Sequence, residues 1–423
     1  MDYKKAYFIG IGGIGMSALA QLMKDHGVEV SGSDREESPV SEMLEKKGIR
    51  VHFVQDGKGV PEDVDVIVYS EAVWPDNPER VQTKELGIRE MSYFDMLGEV
   101  SREKRTIAVA GTHGKTTTTG MTARILQEAG ASPSAVVGSI VKDFGSNYLS
   151  GDSDLLVVEA CEYKRDFLSL TPSILVITNI EFDHSDYYKD LADVQSAFRE
   201  LIGKMPADGV VVTDTNNPNI TPILEGISQT VVSYQSDTHF ELTLPGEFNQ
   251  ANAHAASTAS KVARPTISDD VINTALAGFH GTWRRFEYKG KTKNGADVYD
   301  DYAHHPTAIE KTLHELRKKT QKRLIVAFHP HLFSRTRDLF EGFSNAFAEA
   351  DQVYIAPIYP AREIDDGTVS NTLLAEAIIK NGVQAQGATF EEIETLLAQA
   401  EAGDVVVTMG AGDIYKVADS LVA

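Results

Sequence analysis

A short stretch with one lysine, two glycines and a run of threonines, GTHGKTT at residues 111–117, has the residue types of a phosphate-binding loop. Gly111 and Gly114 allow backbone N–H groups to turn towards phosphate oxygens. Lys115 adds a positive charge, and the hydroxyl of Thr116 suits a magnesium ion that bridges two phosphates. The stretch therefore predicts a phosphate site that works with magnesium.

The elements that must position this loop lie on either side of it. The apolar residues 107–110 predict a buried strand, and Thr117 opens an amphipathic helix whose positive end faces the same anion. Val109 stands where a complete Walker A motif requires an earlier glycine, so only the second half of that motif is present. The alternative is a glycine- and threonine-rich helix start that binds no ligand.

A carboxylate and a histidine follow the next two apolar runs. Glu159 ends the run LLVVEA, and His184 follows the run ILVITNI. Ligands of open parallel sheets lie at the carboxyl ends of the strands, so both side chains are candidates to face the phosphate loop. A carboxylate suits a hard cation, whereas a histidine is a less usual magnesium ligand. The alternative for His184 is a loop histidine bonded to Asp183 or Asp186.

The N-terminal stretch carries a dinucleotide-binding fingerprint. Gly10, Gly12 and Gly15 form GxGxxG between an apolar strand and a helix, and Asp34 ends the next strand, where it could hold a ribose hydroxyl. Read alone, this pattern indicates NAD. A helix N-terminus approached through glycines binds any diphosphate, however, including that of a UDP-sugar. Helix–strand packing alone is a third explanation of the glycines.

Cationic residues collect near the C-terminal end of the chain. Four apolar strands there end in polar or glycine-containing loops, which a parallel sheet would place on one rim. His304, His305, His331, Arg335 and Arg362 would give this rim a positive charge on an acidic protein, and the rim predicts an anion site. Each histidine could instead be structural.

Two further pairs of residues fall between these regions. Asn249 and Asn252 lie three apart on one face of a predicted helix, and paired amides suit an adenine edge. A capped helix of small residues explains them almost as well. Arg284 and Arg285 mark either a joint between domains or a phosphate clamp.

Length and composition limit the number of domains and the classes of partner that the chain can have. A chain of 423 residues should form two to four domains, because single cores rarely exceed about 250 to 300 residues. The net charge of −22 argues against a general nucleic-acid or membrane binder. The sequence shows neither a long apolar run nor a secretion leader, which predicts a cytoplasmic protein. The single cysteine, Cys161, has apolar neighbours and is expected in a core.

An ordered set of motifs along the chain resembles that of the three-domain Mur ligases. The motifs are GIGGIGM, GSD, YSEAV with NPE, AGTHGKTTTT, EACEYKRDF, TNIEFDH, PGEFNQANA, RRFE, DDYAHHP, FHPHLFSRT and GAGDIY. The resemblance spans nearly the whole chain. It implies an α/β fold with three domains: an N-terminal Rossmann-like domain for the UDP-sugar at 1–100, a central P-loop ATPase domain with a parallel sheet at 101–283, and a C-terminal Rossmann-like domain at 284–423 that closes over ATP and the amino acid. The polar residues 101–104 are the expected linker.

Within the family, the resemblance is strongest to members that join L-alanine to the lactyl carboxylate of UDP-N-acetylmuramate. It implies that ATP and Mg²⁺ convert the carboxylate to an acyl phosphate, which the amine of L-alanine captures. A murein-recycling ligase that joins a tripeptide to the same UDP-sugar is the nearer alternative. An NAD-dependent oxidoreductase is the alternative from another class.

The resemblance also implies roles for individual residues. The catalytic residues are Lys115, Glu159, His184 and Arg285. The ATP-binding residues are Gly111, Thr112, His113, Gly114, Lys115, Thr116, Thr117, Asn252, Arg285 and Asp301. The UDP-sugar residues are Gly12, Gly13, Ile14, Gly15, Ser33, Asp34 and Ser70. The amino-acid residues are Tyr302, His304, His331 and Arg335, and the magnesium ligands are Thr116, Glu159 and His184.

The chain departs from the family pattern at a few positions. Phe248 replaces a frequent histidine, which leaves Asn252 as the adenine contact. Leu332 replaces an arginine, which leaves Arg335 as the partner of the amino-acid carboxylate. EACEYK is a variant of a family signature and keeps Glu159.

Overall fold

The computed structural model describes residues 2–361 and 363–422, so Arg362 of the predicted cationic rim lies outside the described residues. Three sheets, each composed mainly of parallel strands, confirm the predicted α/β class. The chain forms two compact units. The first comprises Met1–Glu181, Ala192–Thr243 and Gln250–His280, and the second comprises Phe182–Leu191, Leu244–Asn249 and Gly281–Ala423.

The N-terminal sheet has five parallel strands in the order β3-β2-β1-β4-β5. Its strands are β1 Lys5–Ile9, β2 Glu29–Ser33, β3 Arg50–His52, β4 Val66–Tyr69 and β5 Glu90–Ser92. Its helices are α1 Ile14–Asp25, α2 Pro39–Lys46, α3 Pro78–Glu85 and α4 Tyr93–Arg102. The central strands are short apolar runs without alternation because helices cover both faces of a parallel sheet. The topological switch lies between β1 and β4, and ligands of open α/β sheets bind at such a point.

The central sheet has seven strands in the order β12-β11-β10-β6-β9-β7-β8, in which only the β7–β8 pair is antiparallel. Its strands are β6 Arg105–Ala110, β7 Ser134–Val141, β8 Ser146–Leu149, β9 Leu155–Glu159, β10 Ile174–Ile177, β11 Val210–Thr213 and β12 Thr230–Ser233. The helices of this stretch are α5 Lys115–Glu128, α6 Leu191–Lys204, α7 Thr221–Leu224, α8 Glu247–Ala263 and α9 Asp269–Ala277, with a 3₁₀ segment at Tyr163–Ser169. Strand β6 lies between β10 and β9, so the loop after β6 is flanked by the ends of both.

The C-terminal sheet has six strands in the order β13-β14-β18-β15-β16-β17, in which β13 alone runs antiparallel to its neighbour. Its strands are β13 Glu287–Lys291, β14 Asp297–Asp301, β15 Leu324–Phe328, β16 Gln352–Ile355, β17 Gln384–Gly387 and β18 Val405–Met409. Its helices are α10 Pro306–Arg317, α11 Phe333–Asp338, α12 Phe340–Asn345, α13 Asn371–Lys380, α14 Phe390–Leu397 and α15 Tyr415–Val422. The four apolar strands β14, β15, β16 and β18 are mutually parallel, so the loops that follow them share one rim, as predicted.

Two local expectations are wrong. The polar residues 101–104 are not a simple linker, because Ser101 is completely buried in the last turn of α4 and its carbonyl accepts a hydrogen bond from Thr106. Cys161 is half-buried in the segment after β9 and is not a fully buried core residue. Burial of the sulfur and the nearby Glu162 charge raise the pKa of the Cys161 thiol to about 12, which makes it unreactive.

Within the described residues, no helix has both the length and the apolar character to cross a bilayer.

Candidate active site

The phosphate loop lies between β6 and α5 and depends on two glycines with positive φ. Gly111 has a φ of 135° and Gly114 a φ of 82°. A Cβ atom at Gly111 would lie 2.1 Å from the Thr178 hydroxyl, and one at Gly114 would lie 2.3 Å from Asn252 Oδ1. Both the backbone conformation and the space therefore require glycine here. The close approach gives the loop the tight curvature that a phosphate cradle needs.

The residues after β10 hold this loop in place. Asn179 Oδ1 accepts from the backbone N–H of His113 at 2.9 Å, and its amide donates to the His113 carbonyl at 3.0 Å. Thr178 donates to the same carbonyl at 2.6 Å. The Thr112 hydroxyl accepts from the backbone N–H of Glu181 at 2.8 Å. The loop is thus fixed by hydrogen bonds to the residues after β10 as well as by its own glycines.

Lys115 is the first residue of α5, and its ammonium group turns back over the loop. It donates to the Thr112 carbonyl at 3.2 Å and forms an ion pair with Glu162 at 2.9 Å. The two side chains are 15% and 3% exposed. Burial disfavours the charged lysine, but the charges of Glu162, Cys161 and Glu159 and the hydrogen bond to Glu162 together outweigh burial and raise the pKa of Lys115. Lys115 is therefore a largely buried cation.

Thr116 and Glu159 form a pair of oxygen donors beside the loop. The Thr116 hydroxyl donates to Glu159 Oε1 at 3.0 Å, and Glu159 Oε2 accepts from the backbone N–H of Gly138 at 2.8 Å. A hydroxyl and a carboxylate at this separation are the hard ligands that Mg²⁺ prefers. Two of the three predicted magnesium ligands are thus together in the first unit. The third, His184, belongs to the second unit.

The two predicted adenine-binding amides have different partners. Asn252 Oδ1 accepts from the Thr118 hydroxyl at 3.3 Å and lies against Gly114. Asn249 donates to the Pro245 carbonyl at 2.7 Å, in the chain just before its own helix. Asn252 therefore borders the phosphate loop, whereas Asn249 stabilises the start of α8.

The N-terminal glycine loop lies between β1 and α1. Gly10 has a φ of 81° and donates, as Ile11 also does, to the Ser33 carbonyl. Gly12 donates to Asp34 Oδ2 at 2.7 Å, and Gly13 is the N-cap of α1, which begins at Ile14. The Asp34 carboxylate thus closes the loop from the end of the neighbouring strand.

The remaining predicted residues of this loop differ in accessibility. A Cβ atom at Gly15 would lie 2.7 Å from the Tyr93 ring, so Gly15 lets that ring approach α1. Ser33 is completely buried, and its hydroxyl donates to Glu79. Ser70 is half-buried at the end of β4, next to Gly10. The structure therefore offers Gly12, Asp34 and Ser70 at the loop, while the Ser33 side chain supports the loop from inside.

In the second unit, Arg335 is the centre of a cationic cluster. Its guanidinium donates to Asp183 at 2.9 Å, to His331 Nδ1 at 3.2 Å and to His184 Nδ1 at 3.3 Å. Arg335 is only 3% exposed. Burial would raise the pKa of Asp183, but the charges of His184 and Arg335 hold it well below its usual range. Asp338 lies three residues after Arg335 in α11, a spacing that would allow an ion pair, but it pairs with Arg337 instead.

Tyr302 and His304 lie in the loop after β14, beside this cluster. The His304 ring meets the rings of Tyr302 and His331 edge-on, with centroids 5.3 and 6.3 Å away. His331 in turn stacks on Tyr359. The structure therefore brings all four predicted amino-acid residues, Tyr302, His304, His331 and Arg335, into one cluster. Of the other predicted rim histidines, His305 is buried, with Nε2 near the Phe182 carbonyl.

Asp301, Arg284 and Arg285 occupy the base of the same loop. Asp301 accepts from the backbone N–H groups of Phe286 and Ala303 at 3.0 and 2.8 Å. Burial raises the pKa of Asp301, and the Arg285 charge opposes this rise. Arg285 lies over the Tyr302 ring at 4.8 Å. Arg284 is buried and donates to Asp300 and to the carbonyls of the glycine loop after β18, so it joins parts of this domain.

The sequence reasoning missed several residues of these sites. Glu162, which neutralises Lys115, stands in the motif EACEYK, and a second carboxylate three residues after Glu159 was the available signal. Asn179 stands in TNIEFDH, where a polar residue directly after a buried strand could have marked it. Glu79 is the glutamate of the motif NPE, but the sequence gave no signal of its contact with Ser33, which lies 46 residues away.

Family models match three consecutive stretches of the chain. The model described as the Mur ligase family, catalytic domain, matches residues 5–105, and the Mur ligase middle domain matches residues 109–239. The model described as the Mur ligase, glutamate ligase domain, matches residues 284–412. Each of the three sheets falls largely within one of these matches.

Curated relatives match the chain over nearly its full length. The UDP-N-acetylmuramate–L-alanine ligase of Clostridium kluyveri is 40% identical over 98% of this chain and 97% of its own. The enzyme of the same name from Caldicellulosiruptor saccharolyticus is 39% identical over 97% of both chains.

Solved structures show the same fold. UDP-N-acetylmuramate-alanine ligase MurC from Thermotoga maritima has a TM-score of 0.81 at 26% identity, over 99% of this chain and 98% of that one. A murein peptide ligase from Psychrobacter arcticus has a TM-score of 0.76 at 24% identity, over 99% of both chains.

Proposed function

The chain belongs to the Mur ligase family, and we propose that it joins L-alanine to the lactyl carboxylate of UDP-N-acetylmuramate, with ATP as the energy source, in the synthesis of peptidoglycan precursors. The observation that carries the proposal is the match to alanine-adding relatives across the whole chain at about 40% identity. The place of action is the cytoplasm, where these substrates are formed.

The three domains bind different substrates. Residues 1–100 hold the UDP-sugar, residues 101–283 hold ATP, and residues 284–423 serve ATP and the amino acid. The matches to the three family models, at 5–105, 109–239 and 284–412, support this division into three domains, and the last model begins at the proposed border of residue 284, whereas the middle model ends at 239, well before residue 283. In this assignment the glycine fingerprint serves a UDP diphosphate and not NAD.

The loop from Gly111 to Thr117 is the site for the ATP phosphates. Its two glycines have positive φ and leave no room for a side chain, which fits a backbone cradle for an anion. Lys115 stabilises the charge that develops on the transferred phosphoryl group. Asn252, which borders the loop, is the adenine-side contact of this unit. The family resemblance also assigns Arg285 and Asp301 to ATP.

Magnesium fits the oxygen pair of Thr116 and Glu159. Bound there, the ion would neutralise charge on the ATP phosphates. His184 is the proposed ligand of a second ion, but its Nδ1 accepts a hydrogen bond from Arg335. A neutral histidine then carries its proton on Nε2, so metal binding through Nε2 requires that Arg335 release Nδ1.

The UDP-sugar and the amino acid use different chemistry. Gly12, Gly13, Ile14 and Gly15 present the N-terminal end of α1 to the diphosphate, and Asp34 and Ser70 flank it. Arg335 supplies a planar fork for the carboxylate of L-alanine. Three of its five N–H groups are already committed, which leaves two for the substrate.

The reaction then has two steps. The lactyl carboxylate attacks the γ-phosphate of ATP and forms an acyl phosphate, with ADP as the leaving group. The amine of L-alanine attacks the acyl carbon, and phosphate departs as the amide forms. Lys115 stabilises the first step, whereas Arg335, with Tyr302, His304 and His331 beside it, orients the nucleophile for the second.

The test is phosphate release measured with each component omitted in turn. Release should require ATP, Mg²⁺, UDP-N-acetylmuramate and L-alanine together, and mass spectrometry should find one alanine added to the UDP-sugar. A parallel reaction replaces L-alanine by the tripeptide L-alanyl-γ-D-glutamyl-meso-diaminopimelate. Turnover with the tripeptide but not with L-alanine would replace the proposal by the recycling ligase.

A further inference from the structure

We infer that His304 accepts the proton of the amine nitrogen during amide formation, through its Nε2 atom. The inference rests on the proposed function, because it concerns the second step of that reaction. It goes beyond a role for His304 in shaping the amino-acid site. It assigns the group that removes the proton, which the reaction requires and the binding residues alone do not supply.

The hydrogen bond at the other ring nitrogen fixes the tautomer. His304 Nδ1 lies 2.9 Å from the Tyr302 carbonyl oxygen. A carbonyl only accepts, so Nδ1 must carry a proton, and in the neutral ring Nε2 then holds a lone pair. Among the described residues, no hydrogen bond to Nε2 is formed. The backbone of the residue two positions earlier therefore prepares Nε2 as an acceptor.

The other histidines of the cluster are prepared differently. Arg335 donates to Nδ1 of both His331 and His184. Their neutral rings consequently carry the proton on Nε2, which makes that atom a donor. The half-buried His304 is thus the member of this group whose Nε2 can take a proton without breaking a bond to Arg335.

The charges around the ring favour its neutral form. Arg335 faces it from α11, Asp183 from the segment after β10, and His331 from the loop after β15. Burial and the positive charge of Arg335 hold the pKa of His304 well below its usual range, although Asp183 and the Tyr302 carbonyl oppose them. At neutral pH His304 therefore has its lone pair available.

The proton transfer balances with the bond changes of the second step. The amine nitrogen of L-alanine forms a bond to the acyl carbon, and the carbonyl π electrons move to oxygen. The nitrogen now bears a positive charge, its proton becomes acidic, and Nε2 accepts it. The carbonyl re-forms, the carbon–oxygen bond to phosphate breaks, and phosphate leaves with the electron pair. The imidazolium then returns its proton to phosphate or water.

The first step needs no such acceptor, because a carboxylate attacks ATP without losing a proton. Substitution of His304 should therefore affect the two steps unequally. His304→Asn is the most informative variant, since its side-chain amide can still donate to the Tyr302 carbonyl while Nε2 is removed. General acid–base groups contribute about 10²- to 10⁴-fold to rates, so kcat for ligation should fall at least about 100-fold.

Two assays on the full-length enzyme separate the steps. One measures ADP formed in a single burst without L-alanine, with the acyl phosphate trapped by borohydride, and the other measures amide formation at saturating L-alanine. We expect the burst of His304→Asn to remain within about twofold of the parent, and KM for L-alanine to change little beside the loss in kcat. His331→Gln, in the same cluster, should instead act mainly on KM.

Three results would overturn the inference: a kcat within about threefold of the parent, an equal loss in both steps, or a loss confined to KM. If His304→Asn does not fold, as judged by its melting temperature, His304→Gln is subjected to the same assays and the same criteria. Failure of the parent enzyme to ligate L-alanine would instead refute the proposed function. The two failures are therefore distinguishable.

Discussion

Replacing Lys115 by alanine should remove both catalysis and part of the folding stability. The Lys115 and Glu162 side chains are 15% and 3% exposed, so the variant leaves a carboxylate buried without its cation. Removing one partner of a buried ion pair costs about 3 to 5 kcal/mol, and the partial exposure of the lysine favours the lower end. For a domain of this size, about 3 kcal/mol corresponds to a fall in Tm of about 6 to 12 °C.

The two effects can be separated with a second substitution. In Lys115→Met combined with Glu162→Gln, neither charge remains, so most of the lost stability should return. Activity should not return, since loss of one contact to the developing charge costs about 100-fold or more in rate. Calorimetric melting and phosphate release are measured for the parent, for the single variants Lys115→Ala, Lys115→Met and Glu162→Gln, and for the double variant.

Either of two results would refute this reasoning. An unchanged Tm in Lys115→Ala would show that the pair with Glu162 is not a buried structural contact. Half or more of the parent activity in that variant would show that Lys115 does not face the transferred phosphate.

Three further substitutions test other parts of the molecule. Gly12→Val should weaken UDP-sugar binding and spare ATP, because its Cβ atom would lie 2.8 Å from Asp34 Oδ2, which closes the glycine loop. Equal affinities of the parent and the variant for the UDP-sugar, measured by calorimetry, would contradict this. Arg335→Lys should raise the KM for L-alanine about 30- to 100-fold, whereas the same substitution at the exposed Arg337 should not. Equal effects of the two substitutions on this KM would exclude a contact between the Arg335 guanidinium and the carboxylate of L-alanine. Burial raises the pKa of Asp166 to about 7, so the parent loses stability as pH rises from about 4 through 7. Asp166→Asn should therefore have a higher Tm than the parent at pH 8 but not at pH 5. Equal Tm values of the parent and the variant at pH 8 would contradict this prediction.

The sequence was sufficient for the local architecture of the sites. The apolar residues before the phosphate loop form β6, and the helix after it begins at Lys115, two residues before the predicted start. Helix α4 has Ser92 as its N-cap, a residue type that is typical of helix starts. Apolar periodicity and capping are local properties, so one sequence is enough to find them.

Contacts between distant residues could not be found in this way. Sequence spacing offered Arg335 a partner three residues away, yet its partner is Asp183, which lies 152 residues away. Composition predicted a linker at residues 101–104, whereas tertiary packing buries Ser101. Which residues form pairs depends on which strand ends are adjacent in the fold, and a single sequence does not specify that arrangement.

The route of oxygen in the reaction tests the central claim most directly. UDP-N-acetylmuramate carrying ¹⁸O in both oxygens of the lactyl carboxylate is incubated with ATP, Mg²⁺, L-alanine and the enzyme, and the released phosphate is analysed by mass spectrometry. If the carboxylate is activated as an acyl phosphate and captured by alanine, each phosphate carries one ¹⁸O atom and each amide retains the other. Phosphate without ¹⁸O, formed together with the alanyl product, would contradict the account.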